Sequence, residues 1–157
     1  MSGKYIHYVL SPLFYLAVAT LGGYFTSLGV TSWYPTLAKP VFTPPGSLIA
    51  TIWTIIYALS AISYILFVKA ERGLKPFWFI TCVYIFNGVI NALWSFIFFT
   101  RHMLFVAVVD AFFILVTVIL MMFFVWRYSV ISALLLLPYL LWVSFATFLS
   151  FMIYRLN

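Results

Sequence analysis

Residues 33–57 read WYPTLAKPVFTPPGSLIATIWTIIY, a stretch that joins a proline-rich segment to an apolar helix. Each proline fixes φ and lacks a backbone N–H, so residues 33–46 cannot form one continuous helix. Those prolines are Pro35, Pro40, Pro44 and Pro45. The segment also carries Trp33, Tyr34 and Phe42, whose rings are costly to leave in water. Two interpretations stay open: a stiff lid folded over an apolar space, or an aromatic anchor at headgroup depth.

The composition places the whole chain in a membrane. Of its 157 residues, 67% are hydrophobic and 6% are charged, and the mean hydropathy is +1.21. A soluble domain of this size cannot bury so much apolar surface, so we expect a lipid bilayer as its surroundings. The formal net charge is +6. Because the basic residues are scattered and form no stripe that would follow phosphates, no nucleic acid is expected as a partner.

The apolar runs predict an all-α membrane protein, a five-transmembrane-helix bundle forming one domain over residues 1–157. A bilayer is crossed by roughly 20 residues of helix, and five runs reach that length. The predicted helices are about 5–26, 47–69, 77–99, 103–126 and 130–154, with a lid loop at about 27–46. A polar turn is predicted at 71–76, and Pro138 predicts a kink in the fifth helix.

The basic residues predict the orientation. Five spans place the termini on opposite sides of the membrane, and cytoplasmic loops are enriched in Lys and Arg. The N-terminal side receives Lys4, Lys69, Arg72, Lys75 and Arg127, and the other side receives Lys39, Arg101 and Arg155. This excess favours a cytoplasmic N-terminus and an external lid. The first apolar run is long enough to span a bilayer, which favours a helix over a cleaved signal peptide. We expect a multi-pass protein of a bacterial cell membrane.

Three spans carry stripes of aromatic and polar residues at helical spacing. Residues three and four apart share a helix face, so each stripe is presented on one side of its helix. The stripes are Trp53, Tyr57 and Tyr64 on the second span, Asn87, Asn91 and Trp94 on the third, and Tyr139, Trp142, Ala146 and Ser150 on the fifth. Two interpretations remain open. Converging stripes would build an apolar pocket with a few polar groups, whereas separate stripes would pack helices together, with the asparagines bonding across them.

The remaining polar residues exclude several chemistries. Asp110 is the only acid within a span, and its alternatives are an ion pair with Arg101 or His102 and a role in handling a ligand or ion. Cys82 is single, so neither an intramolecular disulfide nor a thiol-rich metal site is expected, and no metal site is predicted. With two acidic residues in the chain, conventional acid–base catalysis is not supported.

Small residues also form helix-packing patterns. Ala19 and Gly23 lie four apart on the first span, and Gly88 and Ala92 lie four apart on the third. Such pairs let two helices approach closely. We therefore predict that both pairs face another helix.

A series of motifs resembles the translocator protein family, also called tryptophan-rich sensory proteins or peripheral benzodiazepine receptors. The resemblance covers about residues 19 to 157, in order and with matching spacing. The matching residues are Trp33-Tyr34, Leu37, Lys39-Pro40, Pro44-Pro45, Trp53, Tyr57, Asn91, Trp94, Phe98-Phe99, Ala107 through Asp110, Pro138-Tyr139, Trp142, Phe145-Ala146-Thr147 and Asn157.

The resemblance implies a five-helix bundle whose long first loop caps a cavity. It implies ligands such as protoporphyrin IX, isoquinoline carboxamides and benzodiazepines, with no cofactor required. It also implies that Trp53 and Trp142 are the cavity tryptophans linked in bacterial members to light-dependent porphyrin breakdown. A homodimer is implied, often through the third span, and Gly88 and Ala92 are the predicted interface. Cholesterol is not expected, because Phe151 and Met152 replace the tyrosines of the animal cholesterol motif.

From the residues and the resemblance together we predict a membrane receptor or sensor for porphyrins and flat apolar ligands. The alternatives are a light-dependent porphyrin-degrading enzyme that uses Trp53 and Trp142, and a porphyrin transporter. Lys39 is the predicted partner of the porphyrin carboxylates at the mouth of the cavity. The predicted ligand-binding residues are Trp33, Tyr34, Lys39, Pro44, Trp53, Tyr57, Asn87, Asn91, Trp94, Tyr139, Trp142 and Ala146.

Overall fold

A computed structural model describes residues 3–70 and 74–157, and every regular element in these ranges is helical. The elements are α1 (Gly3–Ser27), a short 3₁₀ turn (Tyr34–Thr36), α2 (Gly46–Ala70), α3 (Leu74–Ser95) with a π-helical continuation (Phe96–Thr100), α4 (Leu104–Trp126), α5 (Val130–Leu134) and α6 (Leu137–Leu156). Five segments of these elements are long and apolar enough to cross a membrane. The predicted five-helix membrane fold is confirmed. The first half of the polar turn predicted at 71–76, residues 71–73, lies outside the described residues, and its second half, 74–76, belongs to α3 instead.

Prolines determine where two of the helices begin. Pro44 and Pro45 directly precede α2, where a missing N–H costs little. The fifth span, predicted as one kinked helix, is two helices: α5 ends at Leu134, and α6 begins at Leu137 with Pro138 in its first turn. Because Pro138 cannot donate to a preceding turn, it begins a new helix instead of bending a continuous one.

The helices form a ring around a partly open interior. Helix α1 packs against α2 and α3, α3 packs against α4, and α4 packs against α6, while α2 contacts α5 closely and α6 only weakly. The half away from the lid is filled by an aromatic core that includes Tyr64, Phe67 and Tyr84. There, α2 and α5 are joined by Ser63, whose hydroxyl donates to the Ser132 carbonyl at 2.7 Å. The interior is therefore closed at that end and has its free space beneath the lid.

The loop between α1 and α2 is held over the other end of the bundle by specific contacts. The Trp33 ring stacks on His102 with centroids 4.0 Å apart. The Lys39 ammonium donates to the carbonyl oxygens of Tyr34 (2.8 Å) and Leu37 (3.1 Å). The Asn157 side chain accepts from the Ala38 N–H and donates to the Ala38 carbonyl, both at 3.0 Å. The loop is an ordered cap, fixed both to the α3–α4 connection and to the C-terminal end of α6.

The predicted dimer interface on α3 lies inside the bundle. A Cβ placed on Gly88 would lie 2.6 Å from the Phe14 ring of α1 and 3.2 Å from Val18 Cγ2, and Ala92 is buried. The missing side chain of Gly88 therefore makes room for α1 of the same chain. A homodimer formed through α3 would use its outward residues, such as Trp78 and Phe86, which are more than half exposed.

Asp110 forms neither of the ion pairs predicted for it. Its Oδ2 atom is buried without a hydrogen-bond partner in the described part of the chain. His102, one of the two predicted partners, stacks instead on Trp33 of the lid. The alternative role for Asp110, handling a ligand or ion, stays a prediction.

Candidate functional site

A cavity of about 440 Å³ lies beneath the lid, within the range of roughly 300–1,000 Å³ typical of small-molecule sites. Its wall combines residues from α1, the lid, α2, α3, α4 and α6. The lining residues are Ala19, Gly22, Gly23, Thr26, Ser27, Val30, Tyr34, Gly46, Ile49, Ala50, Trp53, Thr54, Tyr57, Asn91, Trp94, Ser95, Phe98, Phe99, Ala111, Ile114, Trp142, Val143, Phe145, Ala146, Leu149, Ser150 and Ile153. The predicted pocket is thus present, and helical stripes do converge on it.

Three tryptophans are part of the aromatic wall. Trp53 stacks on Tyr57, one turn along α2, with centroids 5.6 Å apart. Trp94 stacks on Phe98 at 4.9 Å, and Trp142 lies against Phe145 at 5.5 Å. The indole N–H groups of Trp94 and Trp142 are buried without an acceptor in the described residues. Ring packing, and no hydrogen bond, therefore sets the positions of these two indoles.

A hydrogen-bonded ladder of side chains begins at the floor of the cavity, with Tyr57 and Asn91, and continues beneath it. The Tyr57 hydroxyl donates to Asn91 Oδ1 at 2.6 Å, and Asn91 Nδ2 donates to the Tyr139 hydroxyl at 2.8 Å. Tyr139 donates in turn to Asn87 Oδ1 at 3.0 Å, and Asn87 Nδ2 donates to Thr117 Oγ1 at 2.8 Å. The ladder crosses from α2 through α3 and α6 to α4. The ladder supplies hydrogen-bond partners to these polar groups, because no water is present within a bilayer to do so.

The predicted ligand-binding residues divide into two groups. Seven of them line the cavity: Tyr34, Trp53, Tyr57, Asn91, Trp94, Trp142 and Ala146. The other five lie outside its lining: Trp33, Lys39, Pro44, Asn87 and Tyr139. Asn87 and Tyr139 lie in the ladder beneath the floor, and Trp33 and Lys39 hold the lid.

The Lys39 ammonium does not face the cavity. It bonds to two lid carbonyls and lies over the Tyr34 ring, 4.7 Å from the centroid. Three interactions inside the lid thus occupy the cation that was expected to meet a porphyrin carboxylate. Its position favours a role in shaping the lid.

Sequence reasoning missed the wall contributed by α1. Ala19, Gly22 and Gly23 line the cavity, whereas the Ala19–Gly23 pair was predicted to face another helix. A Cβ on Gly23 would meet nothing within 4 Å, so this position faces open space. The same spacing of small residues is compatible with a close helix contact and with an open cavity wall. The positions of the neighbouring helices decide which of the two forms.

The lining is electrically neutral. None of the residues that line the cavity is a Lys, Arg, His, Asp or Glu. Burial raises the pKa of the Tyr34 phenol in the lid above its ordinary value of 10.0, so the phenol, already uncharged at neutral pH, stays uncharged in more alkaline solution as well. Among the described residues, the Ser95 and Ser150 hydroxyls make no hydrogen bond and are available to a ligand. The cavity can therefore bind flat apolar molecules by stacking, with a few hydroxyl contacts.

Comparisons with known proteins agree with this architecture. A sequence model described as the TspO/MBR family matches residues 11–155. The chain is 39% identical over 128 residues to the tryptophan-rich protein TspO of Bacillus cereus, covering 80% of this chain and 81% of the relative. It is 38% identical over 149 residues to the TspO of Archaeoglobus fulgidus, covering 95% of each.

A third relative is more distant. The protein CrtK of Rhodobacter capsulatus is 28% identical over 154 residues, which cover 94% of this chain and 92% of the relative. The family match extends over most of the chain, including the lid and all or most of each of the five membrane-spanning helices. Together with the two relatives above 30% identity, it shows that this multi-pass membrane protein is a member of the TspO/MBR family.

Proposed function

We propose that this membrane sensor or receptor binds tetrapyrroles such as protoporphyrin IX, together with other flat apolar molecules such as isoquinoline carboxamides. The observation that carries the proposal is the neutral cavity beneath the lid, with the rings of Trp53, Trp94 and Trp142 in its wall. Indoles offer large rigid faces to a planar ligand at a small cost in conformational entropy.

The floor of the cavity adds selectivity to the stacking surface. The donor of Tyr57 is already engaged with Asn91, and one N–H of Asn91 is engaged with Tyr139. A ligand on this floor meets groups held in place by the ladder, so little ordering remains for it to impose. A rigid planar ligand loses little freedom in such a site, which favours a macrocycle or fused-ring compound over a flexible chain.

Because none of the lining residues is charged, we expect the two carboxylates of protoporphyrin IX to lie outside the cavity, at its mouth. A carboxylate inside would be desolvated without a cation, which is strongly unfavourable. The tetrapyrrole ring therefore occupies the aromatic part of the site, and its acid groups remain near water or lipid headgroups. Uncharged ligands such as isoquinoline carboxamides need no such arrangement.

The test is equilibrium binding of protoporphyrin IX in the dark to the purified protein in lipid nanodiscs. The binding variant is the Trp53→Phe, Trp142→Phe double mutant, and the matched control is Trp78→Phe, Trp126→Phe, whose indoles are at least half exposed on the outer surface. We expect saturable binding that weakens about tenfold or more in the cavity variant, by loss of indole stacking, and is unchanged in the control. Binding no better than that of empty nanodiscs would reject the proposal.

A second candidate function is light-dependent breakdown of the bound porphyrin. The observation that favours it is that Trp53 and Trp142, the two tryptophans implied by the resemblance, both line the cavity. Trp53 also stacks on Tyr57. Loss of product in Trp53→Phe under light, with dark binding retained, would support this function. Equal bleaching of porphyrin in protein-free nanodiscs would reject it.

A further inference from the structure

The seam between α1 and α2 is closed only in the half of the bundle away from the lid. There, Ser11 donates to the Ala61 carbonyl at 3.2 Å, and the Tyr64 hydroxyl lies 3.1 Å from His7 Nδ1. The last of these contacts toward the lid is the stacked pair of Tyr15 and Tyr57, with centroids 6.2 Å apart. Beyond this pair, the facing positions on the two helices are mostly small residues.

On the lid side of Tyr15 and Tyr57, residues of both helices line the cavity and most of them are exposed, from which we infer that the cavity opens between the two helices. The α1 edge is formed by Ala19, Gly23 and Ser27, and the α2 edge by Gly46, Ala50 and Thr54. All of these except Ala19 are exposed although they line the cavity. A Cβ on Gly23 or on Gly46 would meet nothing within 4 Å. These six residues define a lateral slot, and with about 1.5 Å of rise per residue its α1 edge is about 12 Å long.

The slot lies within the membrane-spanning segments and is adapted to lipid. Its edges belong to the spans Tyr5–Ser27 and Gly46–Ala70. The Thr54 hydroxyl donates to the Ala50 carbonyl at 2.9 Å, and the Ser27 hydroxyl donates to the Tyr24 carbonyl at 2.7 Å. Because both hydroxyls are satisfied by their own helices, an apolar molecule can pass between them without leaving a polar group unpaired.

The alternative route, through the lid, is closed by the contacts described above. The lid is held by Trp33 on His102, by Lys39 on two of its carbonyls and by Asn157 on Ala38. Opening it requires these interactions to be broken together, whereas the slot is already open. The slot also continues directly into the cavity, since the same residues line both.

We propose that the lateral slot between α1 and α2 is the entrance of the cavity, and that flat ligands dissolved in the bilayer enter it edge-on from the lipid. The ligand class in this proposal rests on the proposed function, but the existence of an opening toward lipid does not. Entry from the bilayer also suits apolar ligands, because these partition into the membrane before they reach the protein.

The first experiment tests the opening without any ligand. In a Cys82→Ser background, which removes the exposed native thiol, a nitroxide spin label is placed at Ala50→Cys in the slot. The control is Ala58→Cys, two turns along α2, exposed and outside the cavity lining. In nanodiscs, we expect molecular oxygen, which dissolves in the bilayer, to relax both spin labels more strongly than a water-soluble nickel chelate does. This result would show that both positions face lipid.

Two results would overturn the lateral opening. Stronger relaxation of the position-50 label by the nickel chelate, with position 58 still dominated by oxygen, would show that the slot faces water. Dipolar broadening between position-50 labels of two copies would show that a second copy of the chain covers the slot.

The second experiment tests passage of the ligand. Binding of protoporphyrin IX to the protein in nanodiscs is followed by stopped-flow quenching of tryptophan fluorescence. For Ala50→Leu we expect association and dissociation both to slow by about tenfold, because a blocked entrance hinders movement in both directions. Ala58→Leu should leave both rates unchanged, and Asn157→Ala, which removes one of the contacts that hold the lid, should leave association unchanged.

Rates that respond in the opposite way would reject the slot as the entrance. Faster dissociation in Ala50→Leu would mean that the leucine only crowds the cavity, and faster association in Asn157→Ala would mean that ligands enter through the lid. If the wild type shows no saturable binding of protoporphyrin IX, the proposed ligand class fails. The spin-label result then still decides whether the slot opens to lipid, and the rates are measured with a neutral isoquinoline carboxamide.

Discussion

Tyr139 shows how one residue can organise a site that it does not line. Its ring lies edge-on to Trp53, with centroids 5.9 Å apart, and its hydroxyl is the middle of the ladder. That hydroxyl accepts from Asn91 and donates to Asn87. It fixes two asparagines on α3 from α6, so it ties together two helices that line the cavity on different sides.

We expect Tyr139→Phe to lower the free energy of unfolding by about 2 kcal/mol, because two buried amide groups lose their shared partner. The matched control is Tyr128→Phe, which removes a half-buried hydroxyl that makes no hydrogen bond in the described structure. Unfolding of both variants by a denaturing detergent in mixed micelles measures the difference. Equal stability of the two variants would show that the ladder contributes nothing beyond packing.

Gly29 gives a second prediction at this scale. It is buried where the lid leaves α1, and a Cβ on it would collide with the Phe99 carbonyl oxygen and lie 3.2 Å from the Phe99 carbonyl carbon. Backbone atoms cannot move aside as a flexible side chain can, so Gly29→Ala should destabilise the protein by about 2–3 kcal/mol. Gly46→Ala, which meets open space, should change stability by less than about 0.5 kcal/mol. Thermal unfolding of the two variants in the same detergent is the measurement.

At the scale of elements, the lid and the π-helical end of α3 form one structure. The π-helical segment Phe96–Thr100 brings Phe98 and Phe99 beneath Tyr34, at centroid distances of 6.1 and 5.7 Å. Single-turn π segments are frequent at functional sites because they change the direction of the side chains that follow. Here the segment turns two aromatic rings into the cavity and against the lid.

At the scale of elements, Lys39 determines the conformation of the lid. We expect Lys39→Ala to weaken the binding of protoporphyrin IX and of a neutral isoquinoline carboxamide by similar factors. Its ammonium bonds to the Tyr34 and Leu37 carbonyls, so its loss loosens the lid for every ligand. Parallel binding titrations measure both factors, and Lys39→Arg, which retains a cationic donor, should restore part of the affinity. Selective loss of porphyrin affinity would show instead that Lys39 meets a carboxylate.

The elements themselves were largely predictable, because length and hydrophobicity suffice to define a membrane helix. The stripes on α2, α3 and α6 were also predictable as faces. Their depth was not: Asn91 reaches the cavity, whereas Asn87, one turn earlier on the same stripe, lies beneath its floor. The helical period determines the face of the helix on which a side chain lies. It does not show whether a neighbouring side chain lies between that face and the cavity.

The lid and the α1 wall were harder to predict for a different reason. A loop has no period, so nothing in the sequence showed that Trp33 turns toward His102 or that Lys39 folds back onto the carbonyls of its own loop. On α1, Ala19 and Gly23 have the spacing of a helix contact but line open space. Both outcomes depend on tertiary contacts between segments distant in the chain.

At the scale of the whole molecule, charge and cavity are separated. The chain carries a formal net charge of +6, yet no charged side chain lines the cavity. In a membrane protein, charged groups inside the bundle usually mark a path for ions or protons. The neutral wall of this cavity and its lateral slot are instead suited to a solute that is itself apolar and already dissolved in the bilayer.

This separation predicts how the acid groups of a tetrapyrrole affect its binding. We expect the dimethyl ester of protoporphyrin IX, which has no carboxylates, to bind at least as tightly as the free acid. The cavity offers the acid no cation, while transfer of an ionised carboxylate toward a low-dielectric site is unfavourable. Dark titrations of both compounds in nanodiscs, with the partitioning of each into empty nanodiscs subtracted, give the ratio of dissociation constants. Free acid that binds about tenfold tighter, a difference of about 1.4 kcal/mol, would require a cation at the bound carboxylates. Repeating the titration with Lys39→Ala would then show whether the lid supplies it.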